Sequence, residues 1–156
     1  MVKKNHNNQD PLVSVIINCY NGEKYLHEAI DSIYEQTYPN WEIIFWDNAS
    51  TDNSLKIAKS YDSRLLWFES DKTVLLGEAR NKAINNANGD LIAFLDCDDK
   101  WLSQKLEKQI PLFNQNIGLV YSNVLIYDEK INKYSDYFED KKPYKGNVLN
   151  ELFFET

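Results

Sequence analysis

The stretch "LVSVIINCYNGEKYLHEAIDSIYEQ", residues 12–36, determines the fold expected for this chain. Its first nine residues are almost continuously apolar and rich in β-branched side chains, which is typical of a strand covered on both faces of a parallel sheet. Asn21 and Gly22 interrupt this run. The apolar residues that follow recur on one helical face, at Tyr25, Leu26, Ala29, Ile30, Ile33 and Tyr34. A buried strand followed by an amphipathic helix is the repeating unit of an α/β sheet.

The same alternation continues along the chain. Further strands are predicted at 41–47, 64–69, 91–96 and 118–128, the last as a fifth strand or a hairpin arm. Helices are predicted through 55–61, 77–88 and 103–113. Ser50 or Thr51 could cap the second helix, and Gly89 occupies the position of a left-handed cap after the third. We therefore predict an α/β fold, a mostly parallel sheet with helices on both faces.

The composition limits the classes of function. With 156 residues the chain suits one domain, and 43% hydrophobic with 26% charged residues is typical of a soluble globular protein. A formal net charge of -7 and the lack of a basic stripe argue against a nucleic-acid binder. The arginines are Arg64 and Arg80, so an anion site must depend on backbone amides, lysine or a metal.

The cysteines, the polar start and the lengths of the apolar runs limit the kind of site and the location that we expect. Cys19 and Cys97 lie in separate apolar runs without CxxC spacing, so we expect two buried thiols rather than a zinc site or a disulfide framework. The polar start lacks a secretion signal, and no apolar run approaches the roughly 20 residues of a membrane span. We expect a cytoplasmic location, which includes the inner face of the membrane.

Three segments are distinguished by composition. Residues 1–11 form a polar leader, 12–127 the α/β domain, and 128–156 a polar and aromatic region that begins a further part of the molecule. The final "VLNELFFET" is amphipathic and has no terminating signal, so we expect the chain to be truncated there. An apolar face left uncovered by that truncation would favour a homodimer.

Polar residues gather where three predicted strands end. Asn18 and Tyr20 follow the first strand, Asp47 and Asn48 the second, and "DCDD", residues 96–99, the fourth. Ligands of open α/β sheets bind outside the carboxyl ends of the strands. The chain contains neither GxxxxGK[ST] nor a GxGxxG after the first strand, which excludes a P-loop and argues against a dinucleotide fold.

The first two strand ends suit a nucleobase. The Tyr20 ring could stack on a base, and a carboxylate or amide at Asp47 or Asn48 could accept a hydrogen bond from a base N–H. Uracil and guanine carry a ring N–H, whereas adenine and cytosine do not. The alternative is that Asp47 only caps the helix that follows.

The acidic cluster suits a divalent metal. In extended geometry Asp96 and Asp98 lie on one face and Asp99 on the other. Two carboxylates on one face are hard oxygen ligands for Mg²⁺ or Mn²⁺, and phosphate oxygens and water would complete the set. Such a metal could offset the charge of a diphosphate leaving group. The alternative is a solvated DxD turn.

The segments from "VSVIINCYN" through "WDNASTDNS" to "GEARNKAINNANGDLIAFLDCDDKW" resemble the N-terminal half of the family 2 glycosyltransferases, which have the GT-A fold. The resemblance covers about residues 12–101. It implies transfer of a sugar, with inversion, from a nucleoside diphosphate donor that is usually UDP-linked. The family's acceptors are sugars, lipids or proteins, and we expect a saccharide or a lipid-linked acceptor, as in polysaccharide biosynthesis.

The resemblance also implies roles for individual residues. The metal would be Mn²⁺ or Mg²⁺, bound directly by Asp98, with Asp96 at the ribose or in the metal shell. Trp101 resembles an aromatic residue of the family, for which packing is the alternative. The residues implied in nucleotide-sugar binding are Asn18, Tyr20, Glu23, Asp47, Asn48, Arg80, Asp96 and Cys97. Asn48 replaces an aspartate of the family's usual pair, which leaves the identity of the base open.

No catalytic base is assigned. The family's base lies in a later motif, which we expect beyond Thr156, and the context of Asp136, Glu139 and Asp140 does not match it. The alternative function is therefore a binding module that lacks the general base. A sugar-phosphate nucleotidyltransferase is disfavoured because a Gly/Arg-rich loop is missing after the first strand. A receiver domain is disfavoured because its acidic pair would stand where this chain has "NCYN".

Overall fold

A computed structural model describes residues 2–3, 10–139, 143 and 146 of the chain. The strands are β1 (Val2–Lys3), β2 (Val13–Cys19), β3 (Trp41–Asp47), β4 (Leu65–Glu69), β5 (Leu91–Phe94), β6 (Leu125–Asp128) and β7 (Lys133–Asp136). The helices are α1 (Leu26–Tyr34), α2 (Ser54–Ala58), α3 (Leu76–Ile84) and α4 (Lys105–Gln109), and a 3₁₀ turn (Ile110–Leu112) follows α4. Two compact units contain these elements, Met1–Val120 and Tyr121–Thr156.

The first unit contains a five-stranded sheet in the order β1-β5-β2-β3-β4. The strands β5, β2, β3 and β4 run parallel, and β1 pairs antiparallel with β5 at the edge. Because β2 is central, it contacts both β3 and β5. A helix lies between each pair of successive parallel strands along the chain, as the alternating sequence pattern predicted.

Each face of the sheet is covered by a separate apolar layer. The larger layer joins Val15, Ile17 and Phe45 of the sheet to α1, α2 and α4. The smaller layer joins Ile16 and Ile44 to Ala83 of α3. Adjacent residues of β2 are buried on opposite faces, which explains why its sequence is continuously apolar rather than alternating.

The predicted α/β fold with a mostly parallel sheet and helices on both faces is confirmed. The segment 118–128 contributes a hairpin arm instead of a fifth parallel strand, because β6 pairs antiparallel with β7 in the second unit. The remaining strand of the main sheet is β1, within the predicted polar leader. Neither Ser50 nor Thr51 caps α2; the Ser54 amide donates to Asp52 Oδ1 instead.

The prediction that Gly89 forms a left-handed cap is wrong, because its φ is not positive. Glycine is required at this position by close packing. A Cβ at Gly89 would lie 2.6 Å from both the backbone N and the Oγ of Ser14, and 2.7 Å from the Leu12 carbonyl oxygen. The Gly89 amide donates to Ser14 Oγ at 2.8 Å, so the turn before β5 lies directly on the start of β2.

No helix among the described residues combines the length and the apolar character that a bilayer crossing requires. The helices that flank the sheet have apolar residues on one face only, as in α1, where Leu26, Ala29, Ile30 and Ile33 are buried while His27 and Glu28 are exposed.

A surface cluster beside α1 predicts a small acid-sensitive contribution to stability. Asp62 accepts hydrogen bonds from Arg64 Nη2 and from Tyr34 Oη, both at 2.9 Å, and the bonds from Arg64 above all hold the pKa of Asp62 at about 2. The usual value is about 3.9 in an unfolded chain. A depressed pKa stabilises the fold above about pH 4, and this stabilisation disappears as the pH falls through about 2.

We therefore expect Asp62→Asn to lower the free energy of unfolding at pH 7 by less than about 1 kcal/mol, since the pair is half exposed and screened by solvent. The difference from the wild type should vanish near pH 2. Urea unfolding at several pH values measures it, with Asp71→Asn, at an exposed loop position, as the matched control. A difference that persists unchanged at pH 2 would contradict the assignment.

Candidate functional site at the carboxyl edge of the sheet

The carboxyl ends of β3, β2 and β5 lie side by side. Cys19 of β2 is in register with Asp47 of β3, and the Asn48 amide continues this ladder by donating to the Cys19 carbonyl at 2.8 Å. On the other side of β2, Ile16 is in register with Phe94, the last residue of β5. The polar residues that follow the three strands therefore share one edge, as predicted.

Asn18 and Tyr20 stand at the end of the central strand. Both polar atoms of the Asn18 amide are buried and have no hydrogen-bond partner within the described part of the chain. Tyr20 directly follows β2, and 54% of its surface is exposed. A buried amide without partners costs about 1–3 kcal/mol, so it requires an explanation such as a water or a ligand.

The loop after β2 is tied to the loop after β3. Asn21 has a left-handed backbone, with φ 54°, and its Oδ1 accepts from the Thr51 amide at 2.8 Å. Glu23 Oε2 accepts from both the amide and the side chain of Asn53 at 2.8 Å. These bonds fix the loop after β2, which begins with Tyr20. They also occupy the Glu23 carboxylate, whose nucleotide-binding role stays a prediction from the resemblance.

Asp52 is a part of this arrangement that the sequence did not indicate. It accepts hydrogen bonds from the Glu23 amide at 3.0 Å and from the Ser54 hydroxyl at 2.6 Å. Desolvation opposes its ionisation, but these bonds outweigh it and lower the pKa of Asp52. The turn-forming residues "NASTDNS" (48–54) indicate a hydrogen-bonded loop. They do not indicate that Asp52 binds Glu23, which lies 29 residues earlier.

Asp47 and Asn48 are both buried and have different surroundings. Asp47 Oδ2 accepts from the Ser50 amide at 3.0 Å, while its Oδ1 is buried with no partner among the described residues. The Asn48 side chain pairs with the backbone of Val74, donating to its carbonyl at 2.9 Å and accepting from its amide at 3.0 Å. Asn48 therefore holds the loop before α3 against the site.

The acidic residues after β5 form a turn. Strand β5 ends at Phe94, and the Asp99 amide donates to the Asp96 carbonyl at 3.1 Å, which closes the turn. The expectation of extended geometry, which put Asp96 and Asp98 on one face, is thus wrong. Desolvation, with the negative charges of Asp98 and Asp96, raises the pKa of the Asp99 carboxyl.

Arg80 reaches this turn from α3. Its Nη2 lies 2.9 Å from Asp96 Oδ1, and its guanidinium carbon lies 5.5 Å from the centre of the Phe94 ring. The structure thus joins two predicted site residues that are 16 positions apart. A partly exposed ion pair of this kind contributes about 0–1 kcal/mol, so a ligand could exchange partners with it at little cost.

The segment after the turn is anchored to α1. The Trp101 amide donates to Ser32 Oγ at 3.1 Å, and the Trp101 ring packs against the larger apolar layer. The buried Gln36 side chain donates to the Leu102 carbonyl at 2.9 Å and accepts from the Leu106 amide at 3.1 Å. These contacts agree with the packing alternative for Trp101.

Cys19 and Cys97 are neighbours. A Cβ placed on Gly22 would lie 2.7 Å from Cys19 Sγ and 2.9 Å from Cys97 Sγ. A hydrogen bond between the two side chains lowers the pKa of the Cys19 thiol and raises that of Cys97. Both cysteines are free, as expected, but Cys97 is only half-buried.

The residues of the turn fit a metal only in part. Nowhere in the described ranges do three or more histidine, cysteine or carboxylate side chains form a ready ligand group. Asp98 is exposed and has no hydrogen-bond or ion-pair partner among the described residues, while Asp96 is shared with Arg80. The donor set is therefore one free carboxylate with a second nearby, which suits a hard cation that takes its other ligands from phosphate and water.

Comparison with known proteins identifies the family. The model of "Glycosyl transferase family 2" matches residues 14–154. WfgD of Escherichia coli, a UDP-Glc:alpha-D-GlcNAc-diphosphoundecaprenol beta-1,3-glucosyltransferase, is 40% identical over 116 residues, which are 73% of this chain and 46% of WfgD. The chain thus spans about half the length of this relative.

Two solved structures share the fold. TarS of S. aureus in complex with UDP-GlcNAc superposes with a TM-score of 0.59 at 32% identity, over 62% of this chain and 29% of TarS. The mannosyltransferase PcManGT of Pyrobaculum calidifontis, in complex with GDP-Man and Mn²⁺, gives 0.58 at 29% identity, over 62% of this chain and 30% of its own. Both are GT-A glycosyltransferases. Since the family model matches most of the chain, this protein belongs to glycosyl transferase family 2.

Proposed function

We propose that the chain binds a nucleoside diphosphate sugar, UDP-linked, along the carboxyl edge of its sheet. In this proposal it forms the donor-binding part of an inverting glycosyltransferase whose acceptor is a saccharide or a lipid-linked saccharide. Residues 12–127 are the donor-binding domain, and 128–156 begin the acceptor side.

One observation carries the proposal, the spatial order of the strand ends. The sheet order has β2 between β3 and β5, so Tyr20, which follows β2, stands between Asp47 at the end of β3 and the acidic turn 96–99 after β5. Two strand spacings, about 10 Å, separate β3 from β5. A base acceptor, a stacking ring and a phosphate-side carboxylate follow one another in the order in which a nucleoside diphosphate presents its parts.

Each side chain has a task in this arrangement. Asp47, held by the Ser50 amide, accepts the ring N–H of the base, and Tyr20 stacks on it. The unpartnered Asn18 amide, two residues before Tyr20, hydrogen-bonds the nucleotide. Arg80 turns from Asp96 towards the diphosphate as the donor enters, and Asp96 is then free for the ribose. Glu23, Asn48 and Cys97 complete the proposed contact set.

The divalent cation, Mn²⁺ or Mg²⁺, would be held by Asp98 with Asp96 beside it, and when bound it offsets the charge that develops on the departing diphosphate. The free Asp98 carboxylate supports this assignment. So does PcManGT, whose structure contains Mn²⁺. The WfgD name specifies a UDP-sugar donor and a lipid-linked acceptor, which supports both parts of the proposal.

Base selectivity tests the proposal. We expect UDP to bind at least about tenfold more tightly than CDP, because cytosine lacks the ring N–H that Asp47 would accept; that ratio equals about 1.4 kcal/mol. In Asp47→Asn the ratio should shrink, since an amide can donate to the cytosine ring nitrogen. Calorimetric titration in Mn²⁺ measures both, with Asp128→Asn as the control. Equal UDP and CDP affinities in the wild type would overturn the base assignment.

The second candidate function is a binding module without transferase activity. This function is favoured because Asp136, an acidic residue outside the donor site, is not free to act as a general base. Its carboxylate accepts hydrogen bonds from the Asn123 side chain and the Phe138 amide within the region of the β6–β7 hairpin. Incubation with UDP-sugars, Mn²⁺ and saccharide acceptors distinguishes the two functions. UDP release indicates a transferase, whereas UDP binding without release indicates the module.

A further inference from the structure

The cysteine pair at the proposed donor site is arranged for cross-linking. The Leu95 amide donates to the Ile16 carbonyl at 3.1 Å, so the ladder between β2 and β5 extends one residue past Phe94. The turn that contains Cys97 therefore starts beside the end of β2, where Cys19 lies.

Gly22 leaves the space that both sulfurs occupy. Its missing side chain would collide with the two Sγ atoms, which therefore lie against the same point of the backbone. The two thiols differ in access: Cys19 is 1% exposed, while Cys97 is half-buried. A reagent from solvent meets Cys97 first and finds Cys19 directly behind it.

We propose that Cys19 and Cys97 are a reversible oxidation site, converted by hydrogen peroxide into an intrachain disulfide. One of the two sulfurs loses its proton and attacks the peroxide, the O–O bond breaks, one water leaves, and that cysteine becomes a sulfenic acid. The other sulfur then attacks the sulfenic acid, the S–O bond breaks, and a second water leaves. Two thiols lose two electrons and two protons, and the peroxide takes up both.

The disulfide affects the donor site, a consequence that rests on the proposed function. Cys97 lies between Asp96 and Asp98, and Cys19 directly precedes Tyr20. The bond would draw the acidic turn towards the end of β2 and hold it there. The carboxylates could then no longer adjust to a metal and a diphosphate, so oxidation lowers donor affinity.

The cross-link can be tested without any ligand. The chain has two cysteines, so an intrachain disulfide can only be this one. Treatment with hydrogen peroxide should remove both free thiols, leave the chain monomeric on non-reducing gels, lower its mass by two hydrogens and be reversed by dithiothreitol. Added oxygen atoms with Cys19 still free, or cross-links between chains, would overturn the proposal. Cys97→Ser and Cys19→Ser should each retain one thiol and form no intrachain bond.

The functional consequence has its own measurement. We expect the oxidised wild type to bind UDP with Mn²⁺ about tenfold more weakly than the reduced wild type. Peroxide should not alter the affinity of Cys97→Ser relative to its own untreated sample. Equal affinities in a fully cross-linked wild type would overturn the consequence. A reduced chain that binds no UDP would instead refute the proposed function, while the mass measurement still decides the disulfide.

Discussion

Asp98→Ala is expected to weaken Mn²⁺-dependent binding of UDP by more than about a hundredfold, or about 2.8 kcal/mol. The Asp98 carboxylate is exposed and without a hydrogen-bond or ion-pair partner in the described ranges, so its removal breaks no contact of the fold. Asp96 does not replace it, because in the proposed complex the Asp96 carboxylate binds the ribose once Arg80 has turned to the diphosphate. With so little positive charge at the acidic turn, the diphosphate and the carboxylates would repel each other once the metal is lost.

Calorimetric titration with and without Mn²⁺ measures this effect. Glu35→Ala is the control, because Glu35 is an exposed carboxylate at the C-terminal end of α1 and is not among the proposed site residues. The control should bind as the wild type does, and thermal unfolding should show both variants folded. Equal UDP binding by the wild type with and without the metal would contradict the assignment of Asp98.

Gly89→Ala is expected to lower the free energy of unfolding by about 1–3 kcal/mol, the usual cost of overpacking. The new methyl group would lie 2.6 Å from the Ser14 amide nitrogen and 2.7 Å from the Leu12 carbonyl oxygen. Both are backbone atoms at the start of the central strand, so they cannot move without shifting β2. The Gly89 to Ser14 hydrogen bond would be strained in the same step.

Gly77→Ala makes the same chemical change where there is space. A Cβ at Gly77 meets nothing within 4 Å, and the residue lies inside α3, where alanine is favoured over glycine by about 0.5–1 kcal/mol. Urea unfolding should therefore show opposite signs for the two variants. Equal changes in the free energy of unfolding for the two variants would contradict the explanation that close packing requires glycine at position 89.

The fold was largely predictable because its signals are local. Strand β3 coincides with the predicted 41–47, and β2 lies within its predicted run, because each is a short apolar segment bounded by turn residues. The helices proved shorter than predicted, since apolar spacing continues into turns, as at Tyr61 after α2. Strand β1 was missed because a two-residue strand has no periodicity of its own.

Errors arose where a residue's role depends on a partner far along the chain. Gly89 has the local context of a helix cap, but Ser14, 75 residues earlier, determines its packing. Residues 96–99 were predicted to be extended, because nothing in their sequence marks the end of β5. The pairing of the Asn48 side chain with the Val74 backbone likewise could not be recognised from neighbouring residues. The contact roles of the site residues stay predictions.

The residues alone predicted a mostly parallel α/β sheet with polar residues at its strand ends, because periodicity is a property of neighbouring residues, and their motifs resemble those of glycosyl transferase family 2. The three-dimensional structure was needed to show that β2 separates β3 from β5, that Arg80 contacts Asp96, and that Cys19 lies beside Cys97. These contacts depend on strand order and register, which arise when distant segments bury their apolar faces together.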